Sequence, residues 1–176
     1  MEKTTTSPRD VFRFCPRCGG NFNLQDTHSF LCAGCGLHYF INANAAVCAL
    51  IIDSRDRLLL TVRAHDPAQG MLDLPGGFVD PLETAEEALA RELREELDLE
   101  IDSLTYFGSY PNRYVFSGLT YFTLDLAFVC RAGDLSGLKP GDDVAGALFV
   151  PLPEVDLEKI AFDSIRTVID AYRRSR

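Results

Sequence analysis

Residues Leu74 to Leu99 read LPGGFVDPLETAEEALARELREELDL, and both the fold and the chemistry of the chain are worked out from this stretch. Thr84 followed three residues later by Glu87 is a capping box, so a helix is expected to begin near Ala85, with Glu83 just ahead of it. Ala85, Leu89, Leu93 and Leu97 recur every fourth residue and supply an apolar stripe for a core. At about 100° per residue, Glu92, Glu95 and Glu96 fall within roughly 100° of arc, so three like charges share a second stripe. Like charges one turn apart destabilise a helix by a few tenths of a kcal/mol, and a divalent cation between them removes the conflict. Carboxylate oxygens suit Mg²⁺ or Mn²⁺. Upstream, Leu74-Pro75-Gly76-Gly77 is a stiff turn followed by two residues that tolerate positive φ. That lets a loop be held closely against the carboxylate face.

These residues resemble the Nudix box, G-x5-E-x7-R-E-U-x-E-E-x-G-U with U aliphatic. Gly77, Glu83, Arg91, Glu92, Leu93, Glu95, Glu96 and Leu99 fall on it in register. Asp98 stands where the pattern has glycine, so a left-handed helix end has to be held by an aspartate, at a small stability cost. The resemblance implies an α/β/α sandwich with a mixed sheet and Mg²⁺- or Mn²⁺-dependent hydrolysis of a nucleoside diphosphate linked to another moiety. It also implies Glu92, Glu95 and Glu96 as metal ligands, with Glu95 or Glu96 doubling as the base. Arg91 then orients a box carboxylate, Glu83 among them. The alternative, a solvated acidic helix face, does not account for eight matches in register.

Ahead of this stretch lie Cys15-Pro16-Arg17-Cys18-Gly19-Gly20 and, with thirteen residues between Cys18 and Cys32, Cys32-Ala33-Gly34-Cys35-Gly36. Two C-x2-C pairs, each running into glycine, read as the knuckles of a zinc ribbon with tetrahedral coordination by Cys15, Cys18, Cys32 and Cys35. Four thiolates leave no open position for water, so this metal is expected to be structural. Disulfides are the competing reading, and a reducing compartment disfavours them. His28 and His38 lie near enough in sequence to substitute as ligands but read as ordinary surface or packing residues. Cys48 and Cys130 sit inside apolar runs and read as buried hydrophobes.

A ribbon followed by the box narrows the resemblance to the zinc-containing NADH pyrophosphatase branch, over residues 15 to 175. The expected organisation is a flexible N-terminus over 1–12, a ribbon over 13–40 and a hydrolase domain over 41–176. Within the last, Ala45 to Ile52 and Leu58 to Val62 read as two strands joined by a polar turn. Ile101 to Tyr110, Leu119 to Arg131 and Ala147 to Val150 read as further strands. A final helix is expected with Asp163 or Ser164 as its cap and Ile165, Val168, Ile169 and Tyr172 on one face.

The branch carries a second array, S-Q-P-W-P-F-P-x-S, beginning ten residues after the box. Here Ser109, Pro111 and Ser117 match in register, while Asn112, Arg113 and Val115 replace the tryptophan and two prolines and Tyr114 replaces phenylalanine. Ser109, Tyr110, Pro111, Arg113 and Tyr114 are thus the expected substrate-selecting residues, with a plain strand-to-strand loop as the other reading. Phe78, directly after Gly77, resembles the base-stacking aromatic of the branch, and Phe40 or Tyr39 could supply an opposite face. Asp143, before the apolar run GALFVPL, is the candidate for a carboxylate reaching the metals from outside the helix.

A hydrophobic content of 47% supports a real core, and a formal charge of −9 excludes broad, sequence-independent binding to nucleic acid. No apolar run approaches the roughly 20 residues of a membrane span, so a soluble, cytoplasmic chain is expected. The substrate expected first is an NADH- or NAD-like dinucleotide cleaved to two mononucleotides, with ADP-ribose or a nucleotide sugar as the rival. Nucleotide-capped RNA is left open as a substrate, and the branch commonly forms homodimers. The competing class is a nucleotide-sensing or RNA- or protein-binding module, which has no need for a complete metal set.

Overall fold

The computed structural model describes residues 6–176; the first five residues of the expected flexible N-terminus lie outside the described residues. The rest of that segment is a correction to the expectation. Thr6 bridges Leu119, Pro8–Val11 forms a short helical turn (α1), and the Phe12 ring lies 6.1 Å from that of Phe30. Aromatic packing holds a segment whose polar composition suggested fraying.

Two compact units emerge, Met1–Ala43 with Arg113–Phe122 and Asn44–Asn112 with Thr123–Arg176. In the first, β1 (Phe22–Leu24), β2 (Ser29–Cys32) and β3 (His38–Phe40) form an antiparallel sheet in that order. Strands of three or four residues are too short to show a period, and the sequence reading missed them. Phe22 stacks on Phe30 at 5.4 Å, so a few rings stand in for an extended core.

The second unit holds β4 (Asn44–Ile51), β5 (Arg57–Arg63), β6 (Leu72–Asp73), α2 (Ala85–Leu97), most of β7 (Ser103–Phe116) and β8 (Leu119–Arg131), then β9 (Val144–Pro151) and α3 (Asp163–Arg174). One sheet runs β4-β8-β7 with β4 parallel to β8; the other runs β6-β5-β9 and is antiparallel. An isolated bridge, Ile52 to Leu58, links β4 to β5. The layering follows from the two-residue period of β4. Val47, Ala49 and Ile51 pack with Ala88, Leu89, Leu93 and Leu97 of α2, whereas Cys48 and Leu50 pack with Ile165, Val168 and Ile169 of α3. A strand covered on both faces has no polar side to show, which is why its sequence is nearly continuous in apolar residues.

Two local expectations need correcting. Neither Asp163 nor Ser164 caps α3; Phe162 stands at its N-cap without a side-chain bond. The Ser164 hydroxyl instead donates to Asp125 Oδ2 at 2.5 Å, because a bond to a buried carboxylate is stronger than a neutral cap. The segment from Ser109 to Phe116 is strand, not loop. Pro111 suggested a break, but β7 is the outer strand of its sheet, where a missing N–H is tolerated. Among the described residues, no helix is long and apolar enough to cross a membrane.

Candidate active site

The site is assembled on one helix and one turn. The capping box of α2 forms in both directions, with Glu87 N donating to Thr84 Oγ1 and Thr84 N to Glu87 Oε2. At the other end Asp98 adopts φ 53°, ψ 37°, the left-handed end expected of the missing glycine. Against this helix lies the Pro75–Gly77 turn. Pro75 O and Gly77 O accept from Ala49 N and Val47 N, which stitches the turn to β4. Gly76 has φ 141°, and a Cβ there would sit 2.1 Å from Val47 O; a Cβ on Gly77 would sit 2.4 Å from Glu92 Oε1. Any side chain at Gly76 would push the turn off β4, and one at Gly77 would displace the Glu92 carboxylate.

The three box carboxylates occupy different environments. Glu96 is 8% exposed and its Oε2 accepts from Gly76 N at 3.0 Å. Burial pushes its pKa up to about 8 against the pull of that N–H, and the charges of Glu92, Asp73 and Asp143 push the same way. Glu92 is half-buried and raised by burial, with Arg91 opposing. Glu95 is largely exposed. Arg91 bridges several carboxylates: Nε and Nη2 form a fork on Glu83, Nη1 donates to Glu92 and Glu95, and Nη2 also reaches Phe78 O. The guanidinium holds Glu83 below the usual carboxylate range. Much of the repulsion that the sequence assigned to a cation is therefore met by Arg91.

Outside the helix, Gly141 N donates to Glu96 O at 2.9 Å and Lys139 N to Leu97 O at 3.0 Å, which docks the Lys139–Asp143 segment on the end of α2. Asp143 is exposed, 3.8 Å from His65 Nε2, and close enough for its charge to act on Glu96. For Mg²⁺ or Mn²⁺ the fit is one of chemistry: hard oxygen donors, with the buried Glu96 carboxylate held by a backbone N–H and no side-chain cation. Glu92, Glu95 and Glu96, with Asp143, are the residues that could hold it.

The remaining candidates fall in several places. Phe78 is 42% exposed and bridges Ala46 through its backbone. Ser109, Tyr110 and Pro111 belong to the second unit, Arg113 and Tyr114 to the first. In β7 they alternate, with Ser109, Pro111 and Arg113 exposed and Tyr110 and Tyr114 half-buried. Side chains of a strand point alternately to opposite faces, so Tyr110 faces away from Ser109 and Pro111. Tyr110 packs in the cluster on the α3 side of the sheet. Phe40, in the first unit, is exposed with its ring 4.3 Å from that of His38. Sequence reasoning gave no role to Gly76 N or Phe78 O, because backbone groups carry no residue signature.

In the first unit the sulfurs of Cys15, Cys18, Cys32 and Cys35 all lie within 4.8 Å of one another, with Cys15 to Cys35 at 3.7 Å and Cys18 to Cys32 at 3.5 Å. Sulfurs on a tetrahedron of about 2.3 Å radius lie at about that separation, so the set fits zinc. Among the described residues this is the one such convergent group, and neither His28 nor His38 joins it. The box carboxylates do not converge in this way, since Arg91 binds Glu92 and Glu95 while Gly76 binds Glu96.

Comparison with known proteins agrees with this geometry. Residues 42–171 match the family model of the NUDIX domain. The chain is 30% identical over 168 residues to the NAD-capped RNA hydrolase NudC of Vibrio atlanticus, covering 93% of this chain but only 60% of the relative's length. It is 38% identical over 129 residues to the ADP-ribose pyrophosphatase of Methanocaldococcus jannaschii, covering 70% of each. A NUDIX hydrolase structure from Nitrosomonas europaea superposes with a TM-score of 0.68 at 25% identity, over 93% of this chain and 92% of that one.

Proposed function

The chain belongs to the NUDIX family, and from that premise we propose that it is a divalent-cation-dependent hydrolase of the pyrophosphate bond in a nucleoside diphosphate linked to a second moiety. NADH- or NAD-like dinucleotides, cleaved to two mononucleotides, are its first substrates. The observation that carries this is the three box carboxylates on one stripe of α2, Glu96 held by the glycine turn and Glu92 and Glu95 by Arg91, which is thereby already committed to carboxylates. Arg94, the other basic residue of α2, is likewise paired, to Glu100. An anionic substrate on a chain of charge −9 then depends on bound cations for its neutralisation.

Glu92, Glu95, Glu96 and Asp143 would hold Mg²⁺ or Mn²⁺, which when bound would supply charge neutralisation at the phosphates and a more acidic water. Glu95 or Glu96 would act as the base, Arg91 holds Glu83, Glu92 and Glu95 in place, and Gly77 and Phe78 would flank the nucleotide. The name of the Vibrio relative supports the NAD-like assignment and adds NAD-capped RNA as a substrate of the same bond type. ADP-ribose is the second reading, favoured by the Methanocaldococcus relative and by the replaced aromatic and prolines of the array.

Cys15, Cys18, Cys32 and Cys35 are proposed to hold one structural Zn²⁺ in a ribbon over 13–40 ahead of the hydrolase domain over 41–176, as in the NADH pyrophosphatase branch. A homodimer and a cytoplasmic location are proposed with it. Of the array, Arg113 is proposed to act in substrate selection: Arg113→Ala is expected to change the ranking of substrates while sparing metal dependence.

The deciding experiment is mononucleotide release from NADH, NAD, ADP-ribose, diadenosine compounds and NAD-capped RNA, with Mg²⁺ and with EDTA. Release from NADH or NAD that EDTA abolishes is expected. Faster turnover of ADP-ribose would move the assignment to the second reading. No release from any of them would favour a nucleotide-sensing or binding module.

A further inference from the structure

Arg63 and Asp73 form an ion pair that the chemistry above leaves unused. β5 and β9 lose register between Val62 and Arg63, and such a bulge re-aims the side chain it carries. The guanidinium donates from Nη1 to Asp73 Oδ2 at 3.0 Å and from Nε to Pro67 O at 2.8 Å, and lies over the Phe162 ring, 4.9 Å from its centroid. Asp73 is buried, and its other oxygen accepts from Leu74 N at 2.9 Å.

Three backbone segments meet at this pair. Leu74 opens the turn whose Gly76 N–H holds Glu96. The loop that follows Arg63 returns on it through Gly70 N to Arg63 O and Arg63 N to Met71 O. Ala64, next along the chain, donates to Asp143 O at 2.8 Å. The carboxylate that binds from α2 and the one that approaches from outside it are thus tied to one guanidinium–carboxylate contact. A buried ion pair is weak evidence for stability, since desolvation offsets most of its attraction, so its presence here calls for another role.

We infer that Arg63 and Asp73 are positioning residues for the metal site: the pair sets the turn that orients Glu96 and the strand end that carries Asp143, at one spacing, before a cation arrives. This rests on the hydrolase reading proposed above. Groups standing behind metal ligands typically change affinity or activity tenfold to a hundredfold when removed. Asp73 bonds Leu74 N and Arg63, and its charge also bears on Glu96.

The test is calorimetric titration of Mn²⁺ into the full chain, well below its melting temperature, for wild type, Asp73→Ala, Asp73→Asn and Arg63→Lys, with kcat and KM at saturating Mn²⁺. Asp73→Ala and Arg63→Lys are expected to bind Mn²⁺ about tenfold to a hundredfold more weakly and to lose kcat, with KM changed less than threefold. Asp73→Asn keeps one carbonyl oxygen, which can accept from Leu74 N or from Arg63 but not from both, and is expected to restore only part of the affinity. Wild-type Mn²⁺ affinity and kcat in Asp73→Ala and Arg63→Lys, even with a lowered melting temperature, would overturn the inference. Should Asp73→Ala fail to fold, Arg63→Lys decides by the same criterion. A wild-type chain that binds no Mn²⁺ would overturn the hydrolase reading, and this inference with it.

Discussion

Glu96 shows how one side chain serves chemistry at a cost to the fold. It is an acid kept from water by α2 and the glycine turn, with its pKa pushed up to about 8. Glu96→Gln keeps an acceptor for Gly76 N and cannot ionise in its buried site, so in divalent-free buffer its melting temperature is expected to equal or exceed wild type. Its turnover should fall by about 10²–10⁴, the range for losing a positioned acid or base. Near-normal turnover of the purified variant would remove Glu96 from the machinery. Asp73 offers a pH prediction. Burial raises its pKa from the ordinary 3.8 to about 6, although Arg63 pulls the other way. With the folded value above the unfolded one, its contribution to stability is complete below about pH 3.8 and is lost as pH rises through about 6. Melting curves from pH 4 to 7 should therefore show wild type losing ground to Asp73→Asn as pH rises, and parallel curves would contradict the shift. Leu82 is fully exposed at φ 73°, in the turn Asp80–Glu83 closed by Glu83 N on Asp80 O. A left-handed leucine costs about 1–2 kcal/mol, and glycine returns about 0.4–1 of that through the unfolded chain. Leu82→Gly should thus gain about 0.5–1 kcal/mol, read as a melting temperature raised by a few degrees.

At the scale of elements, α2 and β7 make opposite lessons. α2 is specified locally: box, apolar stripe and left-handed end all form as the sequence predicts. Thr84→Ala should cost about 1 kcal/mol by leaving Glu87 N without its acceptor, measured by denaturant titration. An effect near zero would mean that tertiary packing alone holds the helix start. β7 is specified by its neighbours. Its residues from Ser109 to Phe116 include a proline and an asparagine that read as loop, yet the sheet carries the strand through them because it lies at the edge. The same two-residue alternation divides the array that the sequence had treated as one surface.

For the whole molecule, the two units rest on different physics. The second has a two-sided apolar core, from α2 to α3 through the sheet. The first is too small for one and relies on a few rings and four cysteines. Metal binding in such a unit is itself folding free energy. Cys15→Ser or Cys32→Ser should therefore unfold the ribbon, seen as new proteolytic sensitivity within the first forty or so residues, and elemental analysis of wild type should find about one zinc per chain. Absence of zinc together with full reactivity of those cysteines toward a thiol reagent would contradict the assignment.

The residues of the box and the cysteine knuckles were legible in the chain because each depends on spacing along a helix or across a tight turn, where local geometry is nearly invariant; the pairing of Arg91 with Glu83 came only with the family resemblance. The same holds for β4, whose apolar run read as a strand. Tertiary structure alone decided which carboxylate is buried, since Glu92, Glu95 and Glu96 are chemically alike and differ only in what the turn and the sheet place above them. It also decided that Ser164 serves Asp125 and does not cap its helix, and that Arg63 meets Asp73. Those contacts join residues ten to thirty-nine positions apart. No local period encodes such a meeting; it exists only once the sheet has brought the strands together.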